Sequence, residues 1–85
     1  MSITLEQLTE TLRGVLVDQI LDPSIQFEGS TLLSPLGVDS MSYVRMLLQV
    51  ERRHGVAFPD EEMTPENLAT VDSLAAALFR IAQAS

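Results

Sequence analysis

The chain has 85 residues, no cysteine, and 12 acidic against 5 basic side chains, which gives a net charge of −7. The length predicts one domain over residues 1–85, and the missing cysteines exclude disulfides, a thiolate nucleophile and Cys-ligated zinc. The acidic balance argues against nucleic acid and anionic membrane surfaces as partners. We expect a monomeric, cytoplasmic protein without a signal peptide or a membrane-spanning segment.

The first predicted element is an amphipathic helix. Its apolar residues recur every three or four positions, at Leu5, Leu8, Leu12, Val15 and Leu16. Thr4 is the predicted N-cap, because Gln7 three residues later completes a capping box.

A long connection without helical periodicity follows, from Asp22 to Val38, and it contains two prolines and two glycines. Loops of this length are uncommon inside compact domains and are often functional. We expect the apolar side chains of this loop to dock into the core: Ile25, Phe27, Leu32, Leu33 and Leu36.

The second predicted helix is closed by His54 and the terminating glycine Gly55. The stripe predicted for it comprises Met41, Val44, Leu47, Leu48 and Val50. Residues 39–54 contain two acids and three arginines, a net charge of +1, although the segments on either side are acidic.

Two further helices are predicted near the C-terminus. A short helical turn begins with Pro65 at its first position, and a longer stripe runs from Val71 to Ala82 with Thr70 or Asp72 as its cap. The fold class is therefore all-α: an irregular four-helix bundle of three main helices and one short helix, with a long first loop.

The residues at the start of the second helix point to phosphate chemistry. Asp39 is a good N-cap, which makes Ser40 the first helical residue. The free N–H groups and the dipole of a helix N-terminus favour a phosphate there, and Asp39 is suited to help hold a divalent ion during phosphoryl transfer. An Asp-Ser pair at a helix start is, however, usually a cap and nothing more.

Other functions fit less well. A serine hydrolase motif would need a second glycine after Ser40, and the one histidine, His54, lies about four turns away on the same helix. The acidic run at residues 60–62 lacks the pattern of a calcium loop, so we interpret it as a solvated turn. We expect no catalytic residue and no resident metal. A helical protein-interaction domain without a prosthetic group remains the alternative from another class.

One set of residues supports a more specific interpretation through its order and spacing: Leu33, Leu36-Gly37-x-Asp39-Ser40-Met41, Val44, Leu47-Leu48, Glu51, Gly55-Val56, Phe58-Pro59 and Thr64 to Leu74. This set resembles the carrier proteins of fatty-acid, polyketide and nonribosomal-peptide synthesis. The resemblance extends from the first helix to Ile81.

The resemblance implies that Ser40 receives 4′-phosphopantetheine from coenzyme A through a Mg-dependent phosphopantetheinyl transferase. The arm ends in a thiol, so a chain without cysteine would still carry cargo as a thioester. Asp39 is implied beside the attachment site. The implied partner-binding residues are Met41, Val44, Arg45 and Leu48.

The sequence differs from two groups of carrier proteins, and these differences indicate the carrier subtype. The second helix is not strongly acidic, unlike that of fatty-acid carriers, and Val38-Asp39 replaces the Gly-Gly form of modular peptide synthetases. The chain looks closest to discrete (type II) aminoacyl and peptidyl carriers of secondary metabolism, with polyketide and fatty-acid carriers as alternatives. Expected partners are the transferase, a loading ligase or adenylation enzyme, and downstream synthase, transferase or condensation enzymes.

Overall fold

The computed structural model describes residues 3–84, and every regular element in that part of the chain is a helix. The predicted all-α class and the four-helix arrangement are confirmed. The elements are α1 (Leu5–Val15) with a π-helical extension (Leu16–Ile20), a 3₁₀ turn (Ser34–Leu36), α2 (Ser40–His54), a second 3₁₀ turn (Asp60–Glu62), α3 (Pro65–Leu68) and α4 (Val71–Ala84).

The helix ends lie where the local signals predict them. The Thr4 hydroxyl accepts from the Gln7 amide at 3.1 Å, and the Gln7 side chain accepts from the Thr4 amide at 3.0 Å, which completes the capping box. Gly55 ends α2 with a φ of 71°, a left-handed conformation that favours glycine. Of the two caps considered for α4, Thr70 is the one used: its hydroxyl accepts from the Ser73 amide at 3.0 Å.

The π-helical extension of α1 is not predicted by the spacing of apolar residues. The Leu21 amide donates to the Leu16 carbonyl at 2.7 Å, five residues back, which widens the last turn. Leu16 and Leu21 are both buried. The wider turn therefore serves the packing of two side chains that a regular α-helix would direct to different faces.

The first loop is tied to the junction of α3 and α4 by backbone hydrogen bonds. The Leu33 amide donates to the Ala69 carbonyl at 2.9 Å, and the Asp72 amide donates to the Gly29 carbonyl at 3.0 Å. A β-carbon on Gly29 would collide with the Asp72 carboxylate, so glycine allows this close approach. The loop is thus an ordered part of the bundle.

The apolar side chains of the loop dock largely as predicted, with one error. Leu33 is fully buried, and Ile25, Phe27 and Leu36 are half-buried against the core. The prediction for Leu32 is wrong, because that side chain is 58% exposed. Only one of the two adjacent leucines therefore enters the core.

The predicted stripe of α2 is buried only in part. The buried residues are Tyr43, Met46 and Val50, whereas Val44 and Leu48 of the predicted stripe are exposed. The buried residues and the exposed residues of the stripe both recur at three- and four-residue spacing, because α2 is apolar over more than one face. This spacing alone therefore does not tell which face is buried. The core of the bundle selects the face with Tyr43 and Met46.

The core lies between α1, α2 and α4. Ten side chains in it are fully buried: Leu8, Leu12, Leu16, Leu33, Met46, Val50, Val71, Leu74, Ala75 and Leu78. Among residues 3–84, no helix has the length and apolar character needed to cross a membrane.

Candidate functional site

The loop residues before α2 fix the start of that helix. The 3₁₀ turn ends at Gly37, which has a φ of 90°, a conformation that L side chains rarely adopt. Val38 then turns inward and is buried, and its amide contacts the Leu33 carbonyl at 3.4 Å. Leu33 before the turn and Val38 after it are both buried, so the position at which α2 starts on the surface is fixed.

Asp39 caps α2 as predicted. Its carboxylate accepts from the Ser42 amide and from the Ser42 hydroxyl, both at 3.0 Å. The hydrogen bond from the Ser42 amide, followed by that from the Ser42 hydroxyl, lowers the pKa of Asp39. The carboxylate is therefore ionised at neutral pH and is oriented by Ser42.

Ser40 is the first residue of α2 and is exposed. Within residues 3–84, the hydroxyl that binds Asp39 belongs to Ser42, and the Ser40 hydroxyl makes no hydrogen bond. The amide groups of a first helical turn favour a bound phosphate, although the adjacent carboxylate of Asp39 opposes it. An accessible hydroxyl at this position fits a covalently attached phosphodiester with a flexible arm.

No group of three or more His, Cys, Asp or Glu side chains within residues 3–84 is arranged to hold a metal ion. In the acidic run, Glu62 forms an ion pair with Arg80 at 2.8 Å. The hydrogen bond from Arg80 lowers the pKa of Glu62. The prediction that this segment forms a solvated turn is confirmed, and the ion pair joins that turn to α4.

The outer face of α2 presents an apolar stripe beside Ser40. Met41 is 71% exposed and Val44 is 51% exposed, and Leu48 continues the stripe one turn further along. Arg45 is exposed next to Val44. The structure thus brings all four predicted partner-binding residues to the surface of one helix, within about two turns of Ser40.

Two grooves border α2 near Ser40. The larger has a volume of about 400 Å³ and is lined by Leu32, Ser34, Pro35, Tyr43, Pro65, Leu68 and Ala69. The smaller has a volume of about 200 Å³ and is lined by Val44, Leu47, Leu48, Glu51, Phe58 and Met63. Both are lined mainly by apolar side chains and both open to solvent.

Hydrogen bonds hold the short helix α3 against α2. The hydroxyl of Tyr43 donates to the carbonyl of Leu68 at 2.5 Å, and burial raises the pKa of Tyr43. The side-chain amide of Asn67 donates to the Glu62 carbonyl at 2.7 Å, and the Thr64 hydroxyl caps the turn. A helix of four residues would not be stable alone, so these contacts fix its position.

Sequence reasoning missed Tyr43 and the larger groove. The signal available was the position of Tyr43, which lies three residues after Ser40 and therefore on a neighbouring part of the same helical face. Its partner Leu68 is 25 residues away in the chain, and local patterns do not indicate such a pairing.

Known proteins similar to this chain share its helical fold and include carrier proteins. Residues 6–78 match a family described as a phosphopantetheine attachment site. The fold is similar to a chain in the crystal structure of Bradyrhizobium japonicum glycine:[carrier protein] ligase complexed with glycylated carrier protein. The TM-score is 0.66 and the sequence identity is 26%, over 86% of this chain and 96% of that chain.

Proposed function

The chain belongs to the phosphopantetheine attachment-site family of carrier proteins, whose members bear a covalent 4′-phosphopantetheine, and we propose that Ser40 is its attachment residue. The observation that carries the proposal is the free, exposed hydroxyl of Ser40 at the first position of α2. Ser42 is only two residues away, but its hydroxyl is bound to Asp39.

Attachment requires a phosphopantetheinyl transferase and coenzyme A. The Ser40 oxygen forms a bond to the phosphorus nearest the pantetheine, and the bond from that phosphorus to the adenosine half breaks. The serine proton passes to a base of the transferase, and the adenosine bisphosphate leaves. The bound group supplies a thiol on a flexible arm, which holds an acyl or aminoacyl cargo as a thioester.

The protein itself positions the arm and presents a docking surface. Asp39 fixes the start of α2 through Ser42, and the stripe of Met41, Val44 and Leu48 lies beside the attachment point. Exposed apolar side chains on a rigid helix are suited to transient contact with several enzymes in turn. The proposed role is therefore a non-catalytic carrier that keeps its cargo at high effective concentration for each partner.

We propose further that the cargo is an aminoacyl group and that the loading partner is an adenylating ligase. The similar solved chain comes from a complex of a glycine ligase with a glycylated carrier protein. Arg45 lies on the exposed face of α2, which is consistent with a partner surface that carries acidic residues around an apolar hollow.

The proposed setting is discrete, type II secondary metabolism in the cytoplasm, of the nonribosomal peptide or polyketide type. There the carrier acts as a monomer, with residues 1–85 as one carrier domain. Downstream partners are a synthase, a transferase or a condensation enzyme.

Stepwise intact mass spectrometry tests the cargo. The protein is first converted with coenzyme A and a broad-specificity transferase, and the mass of one phosphopantetheine is confirmed. It is then incubated with ATP, candidate ligases and a panel of amino and fatty acids. Addition of an amino acid supports the aminoacyl subtype. Efficient loading with long fatty acids only would contradict it and leave the carrier function intact.

A further inference from the structure

The larger groove beside Ser40 shares one wall with the core. Tyr43 lines the groove and also belongs to the cluster of buried core residues. The other walls come from the first loop and from α3: Leu32, Ser34, Pro35, Pro65, Leu68 and Ala69. The ring of Tyr43 therefore stands between an open apolar groove and the interior of the bundle.

This groove lies within reach of anything tethered to Ser40. Tyr43 is three residues further along α2, a rise of about 4.5 Å, so an arm on Ser40 begins within one helical turn of a residue that lines the groove. An apolar group on a short tether partitions into whatever apolar surface it can reach, because burial removes that surface from water. The open apolar surfaces beside α2 are this groove and the smaller one lined by Val44, and the core behind the larger groove becomes accessible only if Tyr43 moves.

Several contacts oppose that movement. The Tyr43 hydroxyl donates to the Leu68 carbonyl, and the Leu33 amide donates to the next carbonyl, that of Ala69. Displacing the ring would leave the Leu68 carbonyl and the phenol without partners in a partly buried place, which is unfavourable. Met46, one turn from Tyr43 on the same face of α2, is fully buried.

We propose that Tyr43 is a specificity-determining residue that closes the bundle to the cargo. A short cargo on Ser40 then rests in the outer groove, and a long chain stays outside the core. The groove volume of about 400 Å³ lies within the range for small-molecule sites, so the groove has room for an aminoacyl or acyl group outside the core. The inference rests on the proposed attachment at Ser40 and restricts the class of substrate.

The test compares acyl groups of different length on the same arm. The protein is loaded from acetyl- and octanoyl-coenzyme A by a transferase, and complete loading is confirmed by mass. The melting temperature and the methyl NMR shifts are then recorded for two sets of leucines. Leu32 and Leu68 report on the groove, and Leu74 and Leu78 report on the core.

For the unmodified sequence, the octanoyl and acetyl forms are expected to have the same core methyl shifts. Only the groove methyls should differ. For Tyr43→Ala, the octanoyl form should melt higher than the acetyl form, and its core methyls should shift. Tyr43→Phe keeps the ring but loses its hydrogen bond to Leu68, so its response to chain length should lie between those of the unmodified sequence and Tyr43→Ala.

Three results would overturn the inference. One is a higher melting temperature with shifted core methyls for the octanoyl form of the unmodified sequence. The others are a chain-length response of Tyr43→Phe equal to that of Tyr43→Ala, and the lack of any response in a folded Tyr43→Ala. Tyr43→Leu replaces the alanine variant if the latter does not fold. Failure to gain the loading mass would contradict the proposed function instead.

Discussion

The Nε2 atom of His54 lies 2.8 Å from the hydroxyl oxygen of Thr11, so the last turn of α2 is joined to the middle of α1. The Thr11 hydroxyl also donates to the Gln7 carbonyl at 3.1 Å. When the Thr11 hydroxyl donates to the Gln7 carbonyl, it accepts from a protonated Nε2 of His54, because a hydroxyl has only one hydrogen to donate. The histidine thus has a structural role, at the end of α2 opposite to Ser40.

Removing the Thr11 hydroxyl should destabilise the bundle. Thr11→Val keeps the shape of a buried side chain but leaves His54 without this partner, so the free energy of unfolding should fall by about 1 kcal/mol. Thr9→Val is the matched control, because Thr9 also donates to the carbonyl four residues back but is not bound to His54. Urea unfolding measures both; equal effects of the two variants would contradict the role of His54.

Replacing each of two glycines by alanine should change the free energy of unfolding in opposite directions, because the two glycines have different backbone conformations. Gly14 lies inside α1 with open space where an added β-carbon would lie, so Gly14→Ala should stabilise the fold by about 0.5–1 kcal/mol. Gly55 has a φ of 71°, so Gly55→Ala should destabilise it by about 1 kcal/mol. Thermal or urea unfolding of the pair is the measurement. Changes of the same sign would show that one of these conformations is wrongly assigned.

The cap of α2 should be visible in the titration of Asp39. Hydrogen bonds from Ser42 lower the pKa of Asp39, so this cap stabilises the fold above the ordinary pKa of aspartate, and the stabilisation is lost as the pH falls through the lowered pKa. Ser42→Ala removes the hydroxyl and should raise the pKa of Asp39 toward its ordinary value. Carboxyl carbon NMR measures the shift.

Asp22 provides an internal control for that titration. Hydrogen bonds from Ser24, first from the hydroxyl and then from the amide, lower the pKa of Asp22 in the same way. Ser42→Ala should leave the pKa of Asp22 unchanged. An unchanged pKa of Asp39 in that variant would mean that the Ser42 hydroxyl does not orient the carboxylate.

The docking role of the α2 stripe can be tested with two valines of equal exposure. Val44 on α2 and Val17 on the extension of α1 are both 51% exposed. Val44→Glu should slow phosphopantetheine attachment by about tenfold, because a charge is placed within a desolvated contact. Val17→Glu should leave the rate unchanged, and circular dichroism should show both variants folded. Equal rates for the two variants would place the docking surface elsewhere.

Local signals predicted where the helices begin and end, because a cap is formed by residues close in sequence. Thr4 with Gln7, Asp39, Pro65 and Gly55 are examples. The buried face of α2 could not be predicted in this way, since apolar side chains occur on more than one of its faces.

The contacts between distant parts of the chain were also beyond local patterns. Tyr43 with Leu68 and Thr11 with His54 join residues 25 and 43 positions apart. The position of Ser40 followed from the motif, whereas the groove beside it depends on how the first loop and α3 pack together.

Intact mass spectrometry of two serine variants decides whether Ser40 carries the phosphopantetheine. Ser40→Ala and Ser42→Ala are incubated with coenzyme A and a broad-specificity transferase beside the unmodified sequence. We predict a gain of one phosphopantetheine for the unmodified sequence and for Ser42→Ala, and no gain for Ser40→Ala. A gain by Ser40→Ala, or no gain by the unmodified sequence, would rule out attachment at Ser40.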